Sequence, residues 1–98
     1  MIVTQNMKME SQFSRDFQKK FRKVPHSIQV AFQKRLQIFQ SDPYDHRLRN
    51  HQLKGRYSKY RSIDVTGDWR ALYREFGEEN PPIAFFDELG THSQLYKK

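Results

Sequence analysis

Two histidines could supply proton chemistry in this sequence. His51 precedes the stretch Leu53–Gly55, and His92 ends a Gly-Thr-His motif that begins at Gly90. Imidazole titrates near neutral pH, so a pair of histidines can provide both a general base and a general acid. A loop histidine is more often only a solvated side chain, so neither residue indicates a site by itself. The other two histidines keep that ordinary interpretation.

A basic segment interleaved with tyrosines lies between these two histidines. Arginine and lysine contact phosphates, and tyrosine rings stack on bases, so the pattern suits single-stranded nucleic acid. The edge of a solvated strand would show the same pattern. The members of the segment are Lys54, Arg56, Tyr57, Lys59, Tyr60 and Arg61.

The composition narrows the classes of function. Lysine and arginine number 18 against 11 acidic residues, a net charge of +7 that favours polyanions, although an acidic protein partner would satisfy it equally. With no cysteine, disulfides, thiolate metal sites and a cysteine nucleophile are excluded. No apolar run is long enough to span a membrane and no signal peptide is evident, so we expect a cytoplasmic protein without a membrane partner. Its length predicts one domain over residues 1–98.

The residues around these histidines must be positioned by regular elements, and the first half predicts two helices. Ser11 or Ser14 could cap the first helix, and Pro25 can close it and open the second. Asp42–Pro43 ends the second helix, because the residue before proline is disfavoured in helical conformation. The two apolar stripes are Phe13, Phe17, Phe21 and Val24, then Ile28, Ala31, Phe32, Leu36 and Phe39. Such a helical hairpin needs a sheet to cover its apolar side.

The second half predicts that sheet. Segments rich in β-branched and aromatic residues lie at Tyr60–Val65, Trp69–Phe76 and Ile83–Leu89. Their short connections make them antiparallel neighbours. Further short strands are expected near Leu53–Tyr57 and within the first ten residues. The sequence therefore predicts an α+β domain, in the order β-α-α followed by three or four antiparallel strands, with the helices on one face.

The first hairpin of the sheet predicts which side chains share a face. A loop of Val65–Gly67, with Gly67 in the left-handed conformation, would set Asp64 opposite Asp68. Strand alternation then directs one set toward the helices and the other toward an uncovered face. The first set is Ile63, Trp69, Ala71 and Tyr73; the second is Ser62, Asp64, Asp68, Arg70 and Arg74.

Four stretches in a fixed order carry a resemblance to a known family: His51–Gly55, Tyr60–Val65, Gly67–Tyr73, and Gly90–His92 followed by Leu95–Tyr96. Together they resemble the RelE/ParE toxin superfamily, and within it the YafQ type of messenger-RNA interferase. The resemblance covers about residues 11–97. It implies a toxin of a type II toxin–antitoxin system that cuts messenger RNA in the ribosomal A site without metal or other cofactor. It also implies a cognate antitoxin, which the basic charge suggests is acidic.

The same resemblance assigns roles to individual residues. The catalytic positions fall on His51, Asp68, Arg70, His92 and Tyr96, and the substrate-binding positions on Arg61, Asp64 and Trp69. Lys54 and Arg56 are added as substrate-binding residues because they belong to the basic segment. Arg70 occupies the place of an arginine that contacts the scissile phosphate in RelE and YoeB types. Asp64 departs from the pattern, because YafQ has a second histidine there. Part of the proton chemistry is therefore reassigned or weakened.

These residue types suit RNA cleavage by the 2′-hydroxyl. That reaction needs a base near the 2′-hydroxyl, an acid at the leaving oxygen and positive charge at the phosphate. We assign His51 as the base and His92 as the acid, although the two could be exchanged. Arg70, with Arg61, would hold the phosphate. Asp68 would orient a histidine, and Tyr96 would stack on or hydrogen-bond to the substrate.

Three other functions are compatible with parts of the pattern. A ParE-like inhibitor of DNA gyrase would share the fold and would not need the histidine pair. A metal-dependent nuclease could use the two histidines with Asp64 and Asp68, although their spacing matches no metal motif. A catalytically inactive basic domain could bind RNA or an acidic protein with the same charge.

Overall fold

The computed structural model describes residues 9–96 of the chain, which form three helices and five strands. The order is β1 Ser11–Phe13, α1 Arg15–Lys23, α2 His26–Ser41, β2 His51–Gln52, β3 Arg61–Asp64, β4 Trp69–Phe76, β5 Ile83–Thr91 and α3 His92–Tyr96. Two 3-10 turns, His46–Leu48 and Gly55–Tyr57, flank β2. The α+β class expected from the sequence is confirmed.

The two long helices begin and end at the residues that the sequence marks. Ser14 caps α1, where its Oγ accepts a hydrogen bond from the Phe17 amide at 3.0 Å. Pro25 precedes the first turn of α2, and Asp42 follows its last residue. Within residues 9–96, no helix has the length and apolarity that crossing a bilayer requires.

The strands of the described residues form one mixed sheet in the order β1-β5-β4-β3-β2. β1 runs parallel to β5, and every other neighbouring pair is antiparallel. The first strand begins at Ser11, just after the first ten residues in which it was expected. Most of those ten residues lie outside the described range.

The core lies between the helices and one face of the sheet. Phe86 of β5 is fully buried at its centre, 5.7 Å from the Phe32 ring of α2 and 6.0 Å from the Phe17 ring of α1. Burying an aromatic ring of this kind contributes about 1.5–3 kcal/mol. Because both helices cover the same face, the opposite face of the sheet stays open.

The β3–β4 hairpin differs in register from the expectation. Asp64 lies opposite Arg70 and Ile63 opposite Ala71, two residues away from the predicted pairing with Asp68. Gly67 does not adopt the left-handed conformation. The Thr66 side chain closes the turn instead, because its Oγ1 accepts hydrogen bonds from the amides of residues 68 and 69 at 3.3 and 3.1 Å. A shift of two residues keeps every strand side chain on its expected face.

The strand expected at Leu53–Tyr57 is wrong. Gly55 has φ 65°, a left-handed conformation that interrupts extended chain, and a 3-10 turn follows it. The strand instead occupies His51–Gln52, directly before Leu53. This places His51 directly beside the sheet.

Candidate active site

An open pocket of about 470 Å³ lies on the uncovered face of the sheet. It forms where β2, β3 and β4 meet the start of α3. Several of its side chains ionise or hydrogen-bond, and both histidines singled out in the sequence are among them. The lining residues are Arg49, His51, Leu53, Lys54, Tyr57, Ser62, Asp64, Arg70, His92 and Tyr96.

His51 lies on one side of this pocket, held by a strand of only two residues. It pairs with Ser62 of β3, and its ring Nδ1 is 2.9 Å from the Arg49 carbonyl oxygen. A carbonyl oxygen can only accept, so this hydrogen bond requires the proton on Nδ1 and leaves Nε2 of the neutral ring with a free lone pair. The ring is exposed. It can therefore receive a proton from a bound substrate.

His92 enters the same pocket as the first residue of α3. Thr91 and Gln94 cap this helix reciprocally, because the Thr91 amide donates to Gln94 Oε1 at 2.9 Å and the Gln94 amide donates to Thr91 Oγ1 at 3.1 Å. One helical turn separates His92 from Tyr96, so the two rings share a face, with centroids 4.8 Å apart. The cap and the Tyr96 ring together orient the His92 imidazole.

Asp64 holds two arginines at the floor of the pocket. Its two carboxylate oxygens lie 3.2 Å from Arg70 Nε and 3.5 Å from Arg49 Nε. Arg70 is further fixed by its Nη1, which donates to the carbonyl oxygens of residues 66, 67 and 69 at 3.1–3.2 Å. The Arg70 side chain is 18% exposed, whereas that of Arg49 is 77% exposed. The three charges sum to one positive charge facing the opening.

Tyr96 and Tyr57 form the remaining wall. Their rings meet edge to face at 5.4 Å, and Tyr57 donates its hydroxyl to the Leu95 carbonyl oxygen at 2.6 Å. Burial raises the pKa of Tyr96, while the nearby Ser62 hydroxyl and the Arg70 guanidinium favour its ionised form and oppose the rise. Tyr96 is thus a neutral hydroxyl at physiological pH, available to donate a hydrogen bond.

Comparison with known families decides the identity of the chain. Residues 5–97 match the family model described as a bacterial toxin of type II toxin–antitoxin systems, YafQ. This match spans nearly the whole sequence. The chain belongs to the YafQ family. The sequence resemblance to YafQ-type toxins is confirmed, and no curated protein matches this YafQ-family toxin significantly.

Solved structures agree with this YafQ-family fold. The YoeB/ParE toxin from Agrobacterium tumefaciens aligns with a TM-score of 0.68 and 15% identity, over 86% of this chain and 99% of its own. The RelBE2 toxin–antitoxin complex from Mycobacterium tuberculosis contains a chain that aligns with a TM-score of 0.71 and 17% identity, over 91% and 97%. The E. coli DinJ-YafQ complex contains a chain that aligns with a TM-score of 0.59 and 22% identity, over 90% of this chain and 98% of its own. At these identities the likeness concerns the fold.

Four residues assigned to the site from the sequence do not line the pocket of this YafQ-family toxin. Arg61 points to the helix face, where its Nε donates to Asn50 Oδ1 at 2.8 Å. Trp69 packs on the core from the helix side, as strand alternation predicts. Asp68 is exposed in the β3–β4 loop and accepts the His92 amide through its backbone carbonyl oxygen at 2.9 Å. Arg56 is also exposed, with its guanidinium 5.7 Å from the centroid of the Tyr57 ring.

The acidic and histidine side chains of this toxin do not converge as a metal site would require. Among residues 9–96, no group of three or more histidine, aspartate or glutamate side chains has suitable geometry. Asp64 directs its oxygens to two arginines, and Asp68 lies outside the pocket. The donor arrangement gives no support to the metal-dependent alternative.

Sequence reasoning missed Arg49 as a member of the site. Its backbone is left-handed, with φ 49° and ψ 45°, which an arginine rarely adopts. This conformation ends the 3-10 turn at Leu48 and directs the chain into β2, which begins two residues later at His51. A basic residue just before His51 was the available signal, but nothing in the sequence marks the turn that brings it to Asp64.

Proposed function

We propose that this YafQ-family toxin is a ribosome-dependent endoribonuclease that cleaves messenger RNA by general acid–base chemistry without a metal ion. The observation that supports the proposal is the shared pocket of His51, His92 and Arg70, which come from three separate segments of the chain. The reaction requires two proton-transfer groups around a cation, and this pocket holds all three on the open face of the sheet.

The pocket residues can be given roles in one sequence of steps. His51 accepts the 2′-hydroxyl proton on Nε2, and the 2′-oxygen attacks the adjacent phosphorus. His92 donates a proton to the departing 5′-oxygen, which leaves a 2′,3′-cyclic phosphate and a free 5′-hydroxyl. The orientation of the His51 ring favours it as the base, although the two histidines could exchange roles. Each positioned acid or base accelerates such a reaction by about 10²–10⁴-fold.

Arg70 and Arg49 supply the charge that the crowded phosphorane needs. The backbone carbonyl oxygens around Arg70 hold its guanidinium in place before substrate binds, so little reorganisation accompanies the reaction. Asp64, between the two arginines, keeps their guanidinium groups apart and oriented. Lys54 lies at the same pocket and can contact a neighbouring phosphate. Tyr96 can donate its hydroxyl to the substrate.

We also propose that a cognate acidic antitoxin neutralises the toxin in the cytoplasm. Two of the similar structures are toxin–antitoxin complexes, RelBE2 and DinJ-YafQ. The net charge of +7 would attract an acidic partner over a long range. Co-purification of the chain with the product of its neighbouring reading frame tests this partner directly.

The nuclease proposal is tested by mapping transcripts after induction of the toxin. Primer extension should find new 5′ ends in translated messages with the wild-type chain, and His92→Ala should reduce them by about 100-fold or more. His46→Ala is the matched control, because its side chain is 94% exposed and lies outside the pocket. Cleavage by His92→Ala at the wild-type rate would contradict the proposal. Inhibition of gyrase in a parallel supercoiling assay would instead support a ParE-like activity.

A further inference from the structure

The open face of the sheet continues beyond the pocket along β4 and β5. Arg74 lies opposite Phe85, whose two neighbours along β5 are both buried in the core. Alternation therefore directs Phe85 and Arg74 to the uncovered face. Phe76 meets the Phe85 ring edge to face at 5.6 Å and is 44% exposed. None of these residues takes part in the proposed acid–base chemistry.

Arg74 is packed among three aromatic rings on this face. Its guanidinium carbon lies 4.9 Å from the Phe76 centroid, 5.6 Å from that of Phe85 and 5.8 Å from that of Tyr60. Asp87 lies 4.0 Å from Arg74 Nη2 and accepts the Tyr60 hydroxyl at 2.7 Å. Burial and the neighbouring Asp87 raise the pKa of Tyr60 to about 12, so its phenol stays neutral. The carboxylate thus holds both the ring and the guanidinium in place.

These rings connect to the pocket in an unbroken series. The Tyr60 centroid lies 6.4 Å from that of Tyr57, which lies 5.4 Å from that of Tyr96 in the pocket wall. We call this series the aromatic track; it consists of Tyr96, Tyr57, Tyr60, Arg74, Phe76 and Phe85. It leads from the histidines to the far end of β4.

We propose that the aromatic track is a subsite for single-stranded RNA, in which a nucleobase beyond the cleaved step stacks on Phe76 and Arg74. This inference rests on the nuclease function proposed above. Every nucleobase has a flat face, and stacking on aromatic rings or arginine planes is how proteins hold unpaired RNA. Because Asp87 balances the charge of Arg74, the far end of the track suits a base rather than a phosphate.

The exposed apolar surface favours RNA over a protein partner at this place. Among residues 9–96, the large hydrophobic side chains that are exposed are Phe76 and Tyr44. A stable protein interface buries about 800 Å² on each partner around a cluster of apolar anchors. One exposed ring at the end of a row of partly buried rings is a poor anchor for a protein and a suitable platform for a base.

The subsite is tested by titrating isotope-labelled toxin with 2′-O-methylated oligoribonucleotides, which cannot be cleaved. A dinucleotide should perturb the amide resonances of the pocket alone, and a hexanucleotide should also perturb those of Arg74, Phe76 and Phe85. Phe76→Ala should weaken hexanucleotide binding about tenfold and leave dinucleotide binding unchanged. Arg74→Lys, which keeps the charge and loses the plane, should weaken hexanucleotide binding in the same direction.

Tyr44→Ala is the matched control for these variants. Tyr44 is 59% exposed and also faces an arginine, Arg61 at 5.4 Å, but it lies away from the track. The Tyr44→Ala variant should bind both oligonucleotides with the affinity of the wild type. If the hexanucleotide perturbs the pocket and Phe76→Ala binds it normally, the track is overturned while the nuclease proposal stands. If Phe76→Ala binds RNA normally but is no longer inhibited by the antitoxin, the surface belongs to a protein partner. RNA that perturbs neither region would overturn the track, whereas the ribosome-dependent nuclease proposal is decided separately by the mapping of translated messages.

Discussion

At the scale of single residues, Arg49 combines an unfavourable backbone with a functional position. Its left-handed conformation costs about 1–2 kcal/mol for a residue with a Cβ atom. Its contact with Asp64 at 3.5 Å recovers little of this, because the arginine side chain is 77% exposed to water. Strain that local contacts do not offset is characteristic of functional sites. We therefore interpret Arg49 as retained for its charge in the pocket.

This interpretation predicts that glycine at position 49 relieves the strain without restoring activity. The free energy of unfolding of Arg49→Gly should be about 1 kcal/mol higher than that of Arg49→Ala, because glycine adopts the left-handed conformation without strain. Both variants should lose RNA cleavage to the same extent, since both lack the guanidinium. Urea unfolding and a cleavage assay measure the two effects. Equal stability of the variants, or full activity in either, would contradict the interpretation.

At the scale of elements, α3 carries two site residues on only five positions. A helix this short is not stable by itself, so its reciprocal Thr91–Gln94 cap and the buried Leu95 hold it against β5. Gly90, opposite Arg70 in the sheet, leaves room for this packing. A Cβ atom at Gly90 would lie 3.1 Å from Gln94 Oε1 and 3.3 Å from the Leu95 side chain.

Gly90→Ala should therefore displace α3 by a few tenths of an ångström. We expect cleavage to fall by about tenfold, because small errors in the position of a catalytic group are costly. The free energy of unfolding should change by no more than about 1 kcal/mol, since the last helix can shift. Gly67→Ala is the control, because its added Cβ would meet no atom within 4 Å. Full activity of Gly90→Ala would show that α3 tolerates the shift.

At the scale of the whole molecule, Tyr73 joins the core to the segment that carries the site. Its fully buried ring lies 4.9 Å from Phe39 of α2, and its hydroxyl accepts a hydrogen bond from Asn50 at 2.8 Å. Asn50 also donates to the Pro43 carbonyl oxygen at 2.9 Å and accepts from Arg61. Asn50 lies between Arg49 and His51, so its amide side chain fastens the segment that carries these two residues to the body of the fold.

Burial of Tyr73 predicts a loss of stability in alkali. Its pKa rises from 10.0 to about 12 in the folded chain, chiefly through desolvation. Below pH 10 both states keep the proton and the contribution is complete; between pH 10 and 12 only the unfolded state ionises, so stability falls. The free energy of unfolding of the wild type relative to that of Tyr73→Phe should fall by up to about 2–3 kcal/mol between pH 10 and 12. Urea unfolding at several pH values measures it, and a constant difference would contradict the assignment.

Local sequence determined the two long helices, the longer strands and the faces of the sheet in this toxin. The apolar stripes, Ser14, Pro25 and the Asp42–Pro43 step set the two helices, and β4 has the predicted bounds of Trp69–Phe76. The family of the chain was also readable from motif order. These features depend on neighbours in the chain, where periodicity and capping act directly.

Only the tertiary structure decided which residues meet in the pocket. The family pattern assigned Trp69 and Arg61 to substrate, yet the two side chains lie on the helix face, as alternation requires for Trp69. Arg49 joins Asp64 through a left-handed turn that no periodicity reveals. Residues 51, 70 and 92 share one pocket because the sheet order brings distant segments together. Such meetings depend on register and packing between segments, which the order of residues along one segment does not specify.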